Sequence, residues 1–186
     1  SCDWNSWRYA IDVNLFGSAY LIYKFLPYMK KRKKGSIIQL SGGGATKPFP
    51  NMSAYAASKA AIVRFIETLA VELMPYDITA NCVAPGALNT QILDEFISAG
   101  PKALGEKFYE GVLKQKETGG APMHKAVQLC IELISGNSSM ITGKLISAIW
   151  DDWLNFNEFA EELKNSDVYT IRRITAKDRN YSWGDL

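Results

Sequence analysis

Apolar residues in the first half of the chain alternate between helical spacing and a short unbroken run. Over residues 4–32 they recur at helical spacing, which predicts a helix with a bend near Pro27. Residues 36–41 form a short apolar run that is typical of a buried strand. Helical spacing returns over 53–74, and Pro75 ends that helix. This order of elements favours a parallel sheet covered by helices.

The second half of the chain continues the alternation and ends in a polar tail. Its predicted elements are a strand over 78–84, two short helices within 90–118 separated near Gly100-Pro101, a helix from Pro122 to about Ser135, a strand over 145–149 and an amphipathic helix over 153–164. Residues 167–186 are polar with scattered aromatics, so we predict an irregular tail. The pattern predicts an α/β fold, with one domain over 1–150 and a C-terminal helix and tail over 151–186.

Composition and charge restrict the class of protein. With 186 residues, 47% of them hydrophobic and 22% charged, the chain is too apolar for wholesale disorder. Its formal net charge of +2 favours neither nucleic acid nor a membrane surface as a partner. The five consecutive cations at 30–34 lie at a predicted helix end, where the helix dipole favours positive charge. We therefore interpret them as a solvated helix terminus rather than a nucleic-acid patch.

The residues that bind metals or form disulfides are few and scattered. Cys2, Cys82 and Cys130 are far apart in the sequence, so neither a disulfide framework nor structural zinc is predicted. His124 is the only histidine and has no cysteine or acidic partner at ligand spacing, so no metal site is predicted. Unpaired cysteines favour a reducing compartment, and we expect a cytoplasmic protein.

The strongest chemical signal is the segment Tyr55-Ala56-Ala57-Ser58-Lys59 at the start of the helix predicted over 53–74. Tyrosine and lysine four positions apart share a helix face, so the phenol and the ammonium can point into one cleft. A phenol has a pKa of about 10, and a neighbouring cation lowers it. Such a tyrosine can protonate a carbonyl oxygen or deprotonate an alcohol. Taken alone, the pair is also compatible with an amphipathic tyrosine beside a surface lysine.

Ordered sequence blocks surround this pair. They are DVNLFG at 12–17, GSIIQLS at 35–41, YAASK at 55–59 and NCVAPG at 81–86 followed by Thr90, and ITGK at 141–144 fits the same series. In this order the blocks resemble the short-chain dehydrogenase/reductase family, over residues 1 to about 150. The resemblance implies a Rossmann-like fold with a parallel sheet between layers of helices. It also implies hydride transfer between NAD or NADP and a small-molecule carbonyl or alcohol.

The resemblance also implies roles for individual residues. Tyr55 would be the general acid and base. Lys59 would lower the pKa of Tyr55 and hydrogen-bond the nicotinamide ribose. Asn14 would hold a water that connects Lys59 to solvent, in a helix distorted at that point. The alternative for Asn14 is an asparagine that merely bends the helix through local backbone bonding.

Further implied features are a nicotinamide contact and a subunit interface. Pro85, Gly86 and Thr90 would lie against the nicotinamide, although a plain strand-ending turn explains Pro85-Gly86 equally well. The helix over 53–74 is rich in alanine, which suits close helix packing. The resemblance implies a homo-oligomer through the helices at 4–32 and 53–74, and an ordinary contact within one chain is the alternative.

Two departures from the family pattern bear on function. The family's substrate-polarising serine commonly stands thirteen residues before the tyrosine; here that position is Gly42, and its neighbour is Ser41. Ser41 either fills the role after a one-residue shift or is only the last residue of the strand. The family also opens with a glycine-rich phosphate-binding turn, which this sequence lacks.

We therefore expect an N-terminally truncated domain with about three strands remaining. A catalytically inactive fragment or interaction module is the alternative function. Nucleotide binding by the purified chain distinguishes it from an oxidoreductase.

Overall fold

A three-stranded parallel sheet forms the middle of the protein. The computed structural model describes residues 3–135 and 141–183. The strands are β1 (Gly35–Leu40), β2 (Ile78–Ala84) and β3 (Leu145–Ser147), and they lie in the order β1-β2-β3. Both pairs are parallel, with Gly35 opposite Ile78 and Cys82 opposite Leu145. Parallel neighbours require crossover connections, and helices supply them here.

Seven α-helices surround the sheet within the described residues. They are α1 (Trp4–Ile11), α2 (Ser18–Arg32), α3 (Ser53–Leu73), α4 (Gln91–Leu104), α5 (Glu106–Thr118), α6 (Met123–Ser135) and α7 (Ala160–Asn165). A π-helical turn over Asp12–Gly17 joins α1 to α2. Short 3-10 turns occur at Gly43–Ala45, Met74–Tyr76, Trp153–Phe159 and Lys177–Arg179. No described helix has both the length and the apolar character of a membrane span.

Apolar residues fill both faces of the sheet, which makes the fold three-layered. Because side chains alternate along a strand, β2 serves two clusters. Ile78, Ala80 and Cys82 pack with α3, whereas Val83 packs with α6 and with Ile146 of β3. This arrangement confirms the predicted α/β fold with a helix-covered parallel sheet.

Several predicted boundaries differ from the structure. The helix predicted over 153–164 is a 3-10 turn at Trp153–Phe159 followed by α7. The first helix is irregular at the π-helical turn, whereas α2 continues through Pro27. Helices α4 and α5 divide at Gly105, and Gly100, with a φ of 73°, is a kink inside α4. Strand β3 ends at Ser147 rather than residue 149, because the Asp151 carboxylate accepts the Ser147 N–H at 2.6 Å and starts a turn.

The C-terminal residues are irregular but firmly attached to the domain. We call residues 166–172 the C-terminal strap. Glu67 of α3 accepts the Ile171 N–H at 2.6 Å, and the Leu145 N–H of β3 donates to the Tyr169 carbonyl at 2.7 Å. The buried Lys144 ammonium donates to the carbonyls of Ser166 and Val168 at 2.8 and 2.9 Å. The strap therefore ties α3 to the start of β3.

Candidate active site

Except for Asn14, the predicted site residues lie at or near the ends of β1 and β2 or in the first turns of α3. Ser41 follows β1, and its N–H donates to the Val83 carbonyl of β2 at 2.8 Å. Tyr55 and Lys59 lie in the first turns of α3, beside the loop that leaves β1. Ligands of open parallel sheets bind at this edge, so the location suits a substrate or cofactor site.

The N-terminus of α3 is anchored, which fixes the backbone that carries Tyr55. The Trp7 indole N–H donates to the Ser53 hydroxyl at 3.1 Å, which ties the helix start to α1. The Ser58 hydroxyl is buried one turn later and donates to the Tyr55 carbonyl at 2.8 Å. The first bond holds the start of α3 against α1, and the second lies within the first turns of α3.

The Tyr55 ring packs between the glycine-rich loop and an aromatic side chain. A Cβ placed on Gly42 would overlap the Tyr55 hydroxyl, and one on Gly44 would lie 3.2 Å from the ring. Phe49 lies on the same ring, with centroids 6.1 Å apart. Burial raises the pKa of the Tyr55 phenol above its ordinary value of 10.0.

Lys59 lies beside Tyr55, but its ammonium is directed to the backbone. Its Nζ donates to the Leu40 carbonyl at 3.1 Å and lies 5.8 Å from the centroid of the Tyr55 ring. Burial lowers the pKa of Lys59. The neighbouring Cys82 is no counter-ion, because burial raises the pKa of its thiol to about 12.

The sequence correctly predicts that Tyr55 and Lys59 share a helix face, but its pKa prediction for Tyr55 is wrong. The sequence predicts that the neighbouring cation lowers the pKa of Tyr55, whereas burial in the structure raises it. Desolvation of the phenol outweighs the ammonium, which is held by the Leu40 carbonyl rather than by the phenol oxygen.

Ser41 and Asn14, two further predicted site residues, lie in different surroundings. Ser41 is 5% exposed, and its Oγ has no hydrogen-bond partner among the residues that the structure describes. Asn14 lies half-buried inside the π-helical turn, so the helix is distorted where the resemblance implied a distortion. The water expected at Asn14 stays a prediction.

Pro85, Gly86 and Thr90 follow β2 at the same edge of the sheet. Gly86 has a φ of 90°, and a Cβ there would lie 2.7 Å from Ile149 Cγ1 and 2.9 Å from Ala121 Cβ. Thr90 is exposed directly before α4, and its side chain does not cap that helix. Within residues 3–135 and 141–183, no hydrogen bond joins these three residues to Tyr55 or Lys59.

A row of aromatic side chains beside Tyr55 was missed by sequence reasoning. Phe108 of α5 makes edge contacts with Phe49 and with Phe96 of α4, at centroid distances of 5.2 and 5.6 Å. The row connects α4 and α5 to the Tyr55 ring. No local pattern in the sequence joins positions so far apart. The contact between Gly42 and the Tyr55 hydroxyl could have been predicted, because Gly42 stands thirteen residues before Tyr55, where the family commonly has its serine.

A cavity lies at the opposite end of the sheet. It has a volume of about 1050 Å³, and Ile78, Gly143 and Lys144 line it together with Arg172 of the strap. Ile78 begins β2, and Gly143 and Lys144 precede β3, whereas Ser41, Pro85 and Gly86 follow β1 and β2. Among the described residues, no group of three His, Cys, Asp or Glu side chains is placed to hold a metal ion.

Comparison with known proteins decides the family. The short chain dehydrogenase family matches residues 1–99 of the chain. The chain belongs to the short-chain dehydrogenase family. Dehydrogenase/reductase SDR family member 6 of Rattus norvegicus is 32% identical over 146 residues, which are 76% of this chain and 58% of that protein. The 3-oxoacyl-(acyl-carrier-protein) reductase FabG of Thermotoga maritima is 34% identical over 142 residues, or 75% of this chain and 54% of that protein.

Solved structures of short-chain dehydrogenases share the Rossmann-like fold. A short chain dehydrogenase/reductase from Saccharomyces cerevisiae superposes with a TM-score of 0.74 at 25% identity, covering 84% of this chain and 62% of that one. A 3-oxoacyl-(acyl-carrier protein) reductase with bound NAD from Brucella melitensis superposes with a TM-score of 0.58 at 30% identity, covering 79% of this chain and 52% of that one. The chain thus spans little more than half the length of these short-chain dehydrogenases.

Proposed function

We propose that the chain is the catalytic portion of a short-chain oxidoreductase that uses NAD or NADP to interconvert small-molecule carbonyls and alcohols. The observation that carries this proposal is the adjacent placement of the Tyr55 phenol and the Lys59 ammonium at the carboxyl end of β1. Lys59 Nζ lies 5.8 Å from the Tyr55 ring centroid. Family membership supports the oxidoreductase class.

In the reducing direction, Tyr55 donates its proton to the substrate's carbonyl oxygen. Because burial raises the pKa of Tyr55, the phenol carries this proton at neutral pH. A nicotinamide held at this edge would supply the hydride that the carbonyl carbon accepts. The Lys59 ammonium stabilises the phenolate that remains. In the oxidising direction, the phenolate takes the proton of the alcohol.

Supporting residues hold the reactants and pass the proton on. Asn14 holds a water through which the Lys59 proton exchanges with solvent. The Ser41 Oγ, which has no partner among the described residues, polarises the substrate oxygen once the loop adjusts. Both assignments follow from the family resemblance.

The residues at this edge fit the nicotinamide end of the cofactor. Lys59 has ammonium protons beyond the one given to Leu40, and they suit ribose hydroxyls. Pro85 and Gly86 follow β2 at this edge, where the family resemblance implies the nicotinamide ring, and the Thr90 hydroxyl is not used as a helix cap. For the phosphate end, the described residues contain no glycine-rich turn that leads directly from a strand into an α-helix.

We also propose a cytoplasmic homo-oligomer that associates through the helices at 4–32 and 53–74. Every residue of α1 and α2 is at least partly exposed in the single chain, and many of these residues are aromatic. Cys82 and Cys130 are free thiols, which supports a reducing compartment.

Substitution of Tyr55 by phenylalanine tests the catalytic proposal. The Tyr55→Phe variant keeps the ring and its packing but loses the proton, so we expect turnover to fall by about 10²–10⁴-fold. The measurement is NADH and NADPH oxidation by the purified 186-residue chain with a panel of ketones and aldehydes. Tyr28→Phe is the matched control, since Tyr28 is 70% exposed on α2.

Two results would contradict the proposal. One is a Tyr55→Phe variant that turns over as fast as the Tyr28→Phe control. The other is failure of the chain to bind either nucleotide up to millimolar concentration, which would favour an interaction module instead. Circular dichroism of both variants checks that the fold is retained.

A further inference from the structure

Three phenylalanines beside Tyr55 lie outside both apolar clusters of the sheet. We call Phe49, Phe96 and Phe108 the aromatic row; their rings are half-buried, and neither cluster contains them. The rings therefore keep part of their surface open to solvent. The residues of α4 and α5 that are buried are other side chains, namely Leu93, Leu104 and Val112.

The aromatic row reaches the Tyr55 ring through consecutive ring contacts. The Phe49 centroid lies 6.1 Å from that of Tyr55. Phe108 stands edge-on to Phe49 at 5.2 Å and to Phe96 at 5.6 Å. Edge contacts of this kind are an arrangement that aromatic pairs prefer. The row thus runs from the proposed proton donor to α4.

Ile92 continues this apolar surface towards Thr90. It lies four positions before Phe96, so the two side chains share a face of α4, and it is 55% exposed. Thr90 is the residue that the proposed function places near the nicotinamide. Apolar side chains therefore extend from the phenol towards the place where the reacting carbon would accept its hydride.

Polar contacts hold the parts of the aromatic row together. The Asn51 amide, on the loop that carries Phe49, donates to the Leu104 carbonyl at the end of α4 at 3.0 Å. The Lys116 ammonium of α5 lies 2.6 Å from the Asp94 carboxylate of α4, and both side chains are exposed. The loop is thus tied to α4, and α4 to α5.

We propose that the aromatic row binds the apolar end of the substrate, and that the substrate is a carbonyl compound or alcohol carrying an aryl ring. This inference rests on the proposed function, because the row flanks the proton donor. Phenyl rings accept no strong hydrogen bond, so a sugar hydroxyl held against them loses its water without compensation. An aryl ring held there leaves water and adds another edge contact to the row.

The test compares three methyl ketones that differ in one terminal group. They are butanone, benzylacetone, which adds a phenyl group, and hydroxybutanone, which adds a terminal hydroxyl group. We expect kcat/KM of the 186-residue chain to be at least about 10²-fold higher for benzylacetone than for butanone. A single methylene in an apolar pocket is already worth about 10–200-fold. Hydroxybutanone should gain nothing over butanone.

Variants of the aromatic row show whether its rings cause this preference. We expect Phe96→Ala and Phe108→Ala each to lower the ratio of kcat/KM for benzylacetone to that for butanone by about tenfold. Phe96→Leu and Phe108→Leu keep an apolar side chain and should lower the ratio less. Phe159→Ala is the matched control, because Phe159 is 51% exposed on the 3-10 turn after β3.

A binding measurement gives a readout that does not depend on turnover. In protein carrying ¹³C-labelled tyrosine, the NMR signal of Tyr55 is identified by its loss in Tyr55→Phe. Titration with benzylacetone should shift this signal through the ring current of the phenyl group. The dissociation constant should rise about tenfold in Phe108→Ala and stay unchanged in Phe159→Ala.

Several outcomes would overturn the inference. One is an equal kcat/KM for benzylacetone and butanone, and another is a higher value for hydroxybutanone than for benzylacetone. A preference for benzylacetone that survives in both alanine variants would show that the phenyl group binds elsewhere. Thermal unfolding checks the fold of each variant, and the leucine variants carry the comparison where an alanine variant does not fold.

The two proposals fail separately. If benzylacetone shifts the Tyr55 signal and this binding needs the aromatic row, while Tyr55→Phe keeps full turnover, the aryl site stands and the proposed function falls. If Tyr55→Phe abolishes turnover while the three ketones react alike, the function stands and the aryl site falls.

Discussion

Two glycines show how single residues without side chains shape the candidate site. Gly42 gives space to a phenol, whereas Gly86 combines a positive φ of 90° with a crowded environment. Gly86 lies between Ile149 and Ala121, so the turn after β2 packs directly on the segment that follows β3. The close approach of these segments sets the path of the chain from β2 to Thr90.

We expect replacement of Gly86 by alanine to destabilise the fold in two ways. The positive φ strains an alanine backbone, and the added methyl group collides with its neighbours. A methyl group there would lie 2.7 Å from Ile149 Cγ1, and such overpacking costs about 1–3 kcal/mol. The control is Gly100→Ala, because Gly100 also has a positive φ, 73°, but nothing within 4 Å of a Cβ. Urea unfolding measures both variants. Equal losses of unfolding free energy would contradict the packing argument.

At the scale of elements, the strap is held by charged groups, two of which, Glu67 and Lys144, are buried. The Glu67 carboxylate is 7% exposed and accepts the Ile171 N–H. The Arg64 guanidinium lies 2.9 Å from its other oxygen and also donates to the Ile171 carbonyl, and the Lys144 ammonium is the other nearby cation. Burial nevertheless dominates and raises the pKa of Glu67 above 4.5.

This raised pKa predicts a pH-dependent contribution of Glu67 to stability. The folded state binds the Glu67 proton more tightly than the unfolded state, so this contribution falls as pH rises from 4.5 through the folded-state pKa. Glu67→Gln keeps an acceptor for the Ile171 N–H and removes the titration. The unfolding free energy of Glu67→Gln, relative to the parent, should therefore increase over that pH range.

Denaturant unfolding at a series of pH values measures this difference. Glu72→Gln, on the exposed part of α3, controls for the change in net charge. If Glu67→Gln is destabilised by the same amount at every pH, then burial does not raise the pKa of the Glu67 carboxyl group.

Helices and strands could be predicted where the spacing of apolar residues within the segment itself specifies them. The strand over 78–84 matches β2 in both bounds, and the helix over 53–74 matches α3 to within one residue. The placement of Tyr55 and Lys59 on one helix face follows from the same local periodicity.

What sequence reasoning could not predict depends on contacts between distant residues. The strap is fixed by Glu67, 104 positions from Ile171, so a polar tail pattern gave no sign of it. The pKa direction of Tyr55 is set by burial against Gly42, Gly44 and Phe49, which only the folded loop brings together. Helical spacing alone shows that an ammonium is near the phenol, and it does not show which charge state the surroundings favour.

At the scale of the whole molecule, one surface is unusually apolar. Helices α1 and α2 and the π-helical turn contain no buried residue. Their exposed large side chains are Trp4, Tyr9, Val13, Phe16, Tyr20, Leu21, Tyr23, Phe25 and Tyr28. Exposed apolar patches of this kind mark interaction surfaces in soluble proteins. A second copy of the chain is the partner that we propose for it.

A charge introduced on this surface tests self-association. Leu21 is 60% exposed on α2, and a glutamate there would bring an unpaired carboxylate into the proposed interface. We expect Leu21→Glu to raise the dissociation constant by at least about tenfold, which corresponds to about 1.4 kcal/mol. Sedimentation velocity over a concentration series measures it.

The matched control is Leu154→Glu, because Leu154 is a leucine of similar exposure, 72%, on the 3-10 turn after β3. It introduces the same charge away from α1 and α2, so the parent association should persist in this variant. If both variants lower the association equally, net charge rather than this surface governs it. If neither the parent nor the variants associate at any concentration, the helices at 4–32 and 53–74 do not form a homo-oligomeric interface.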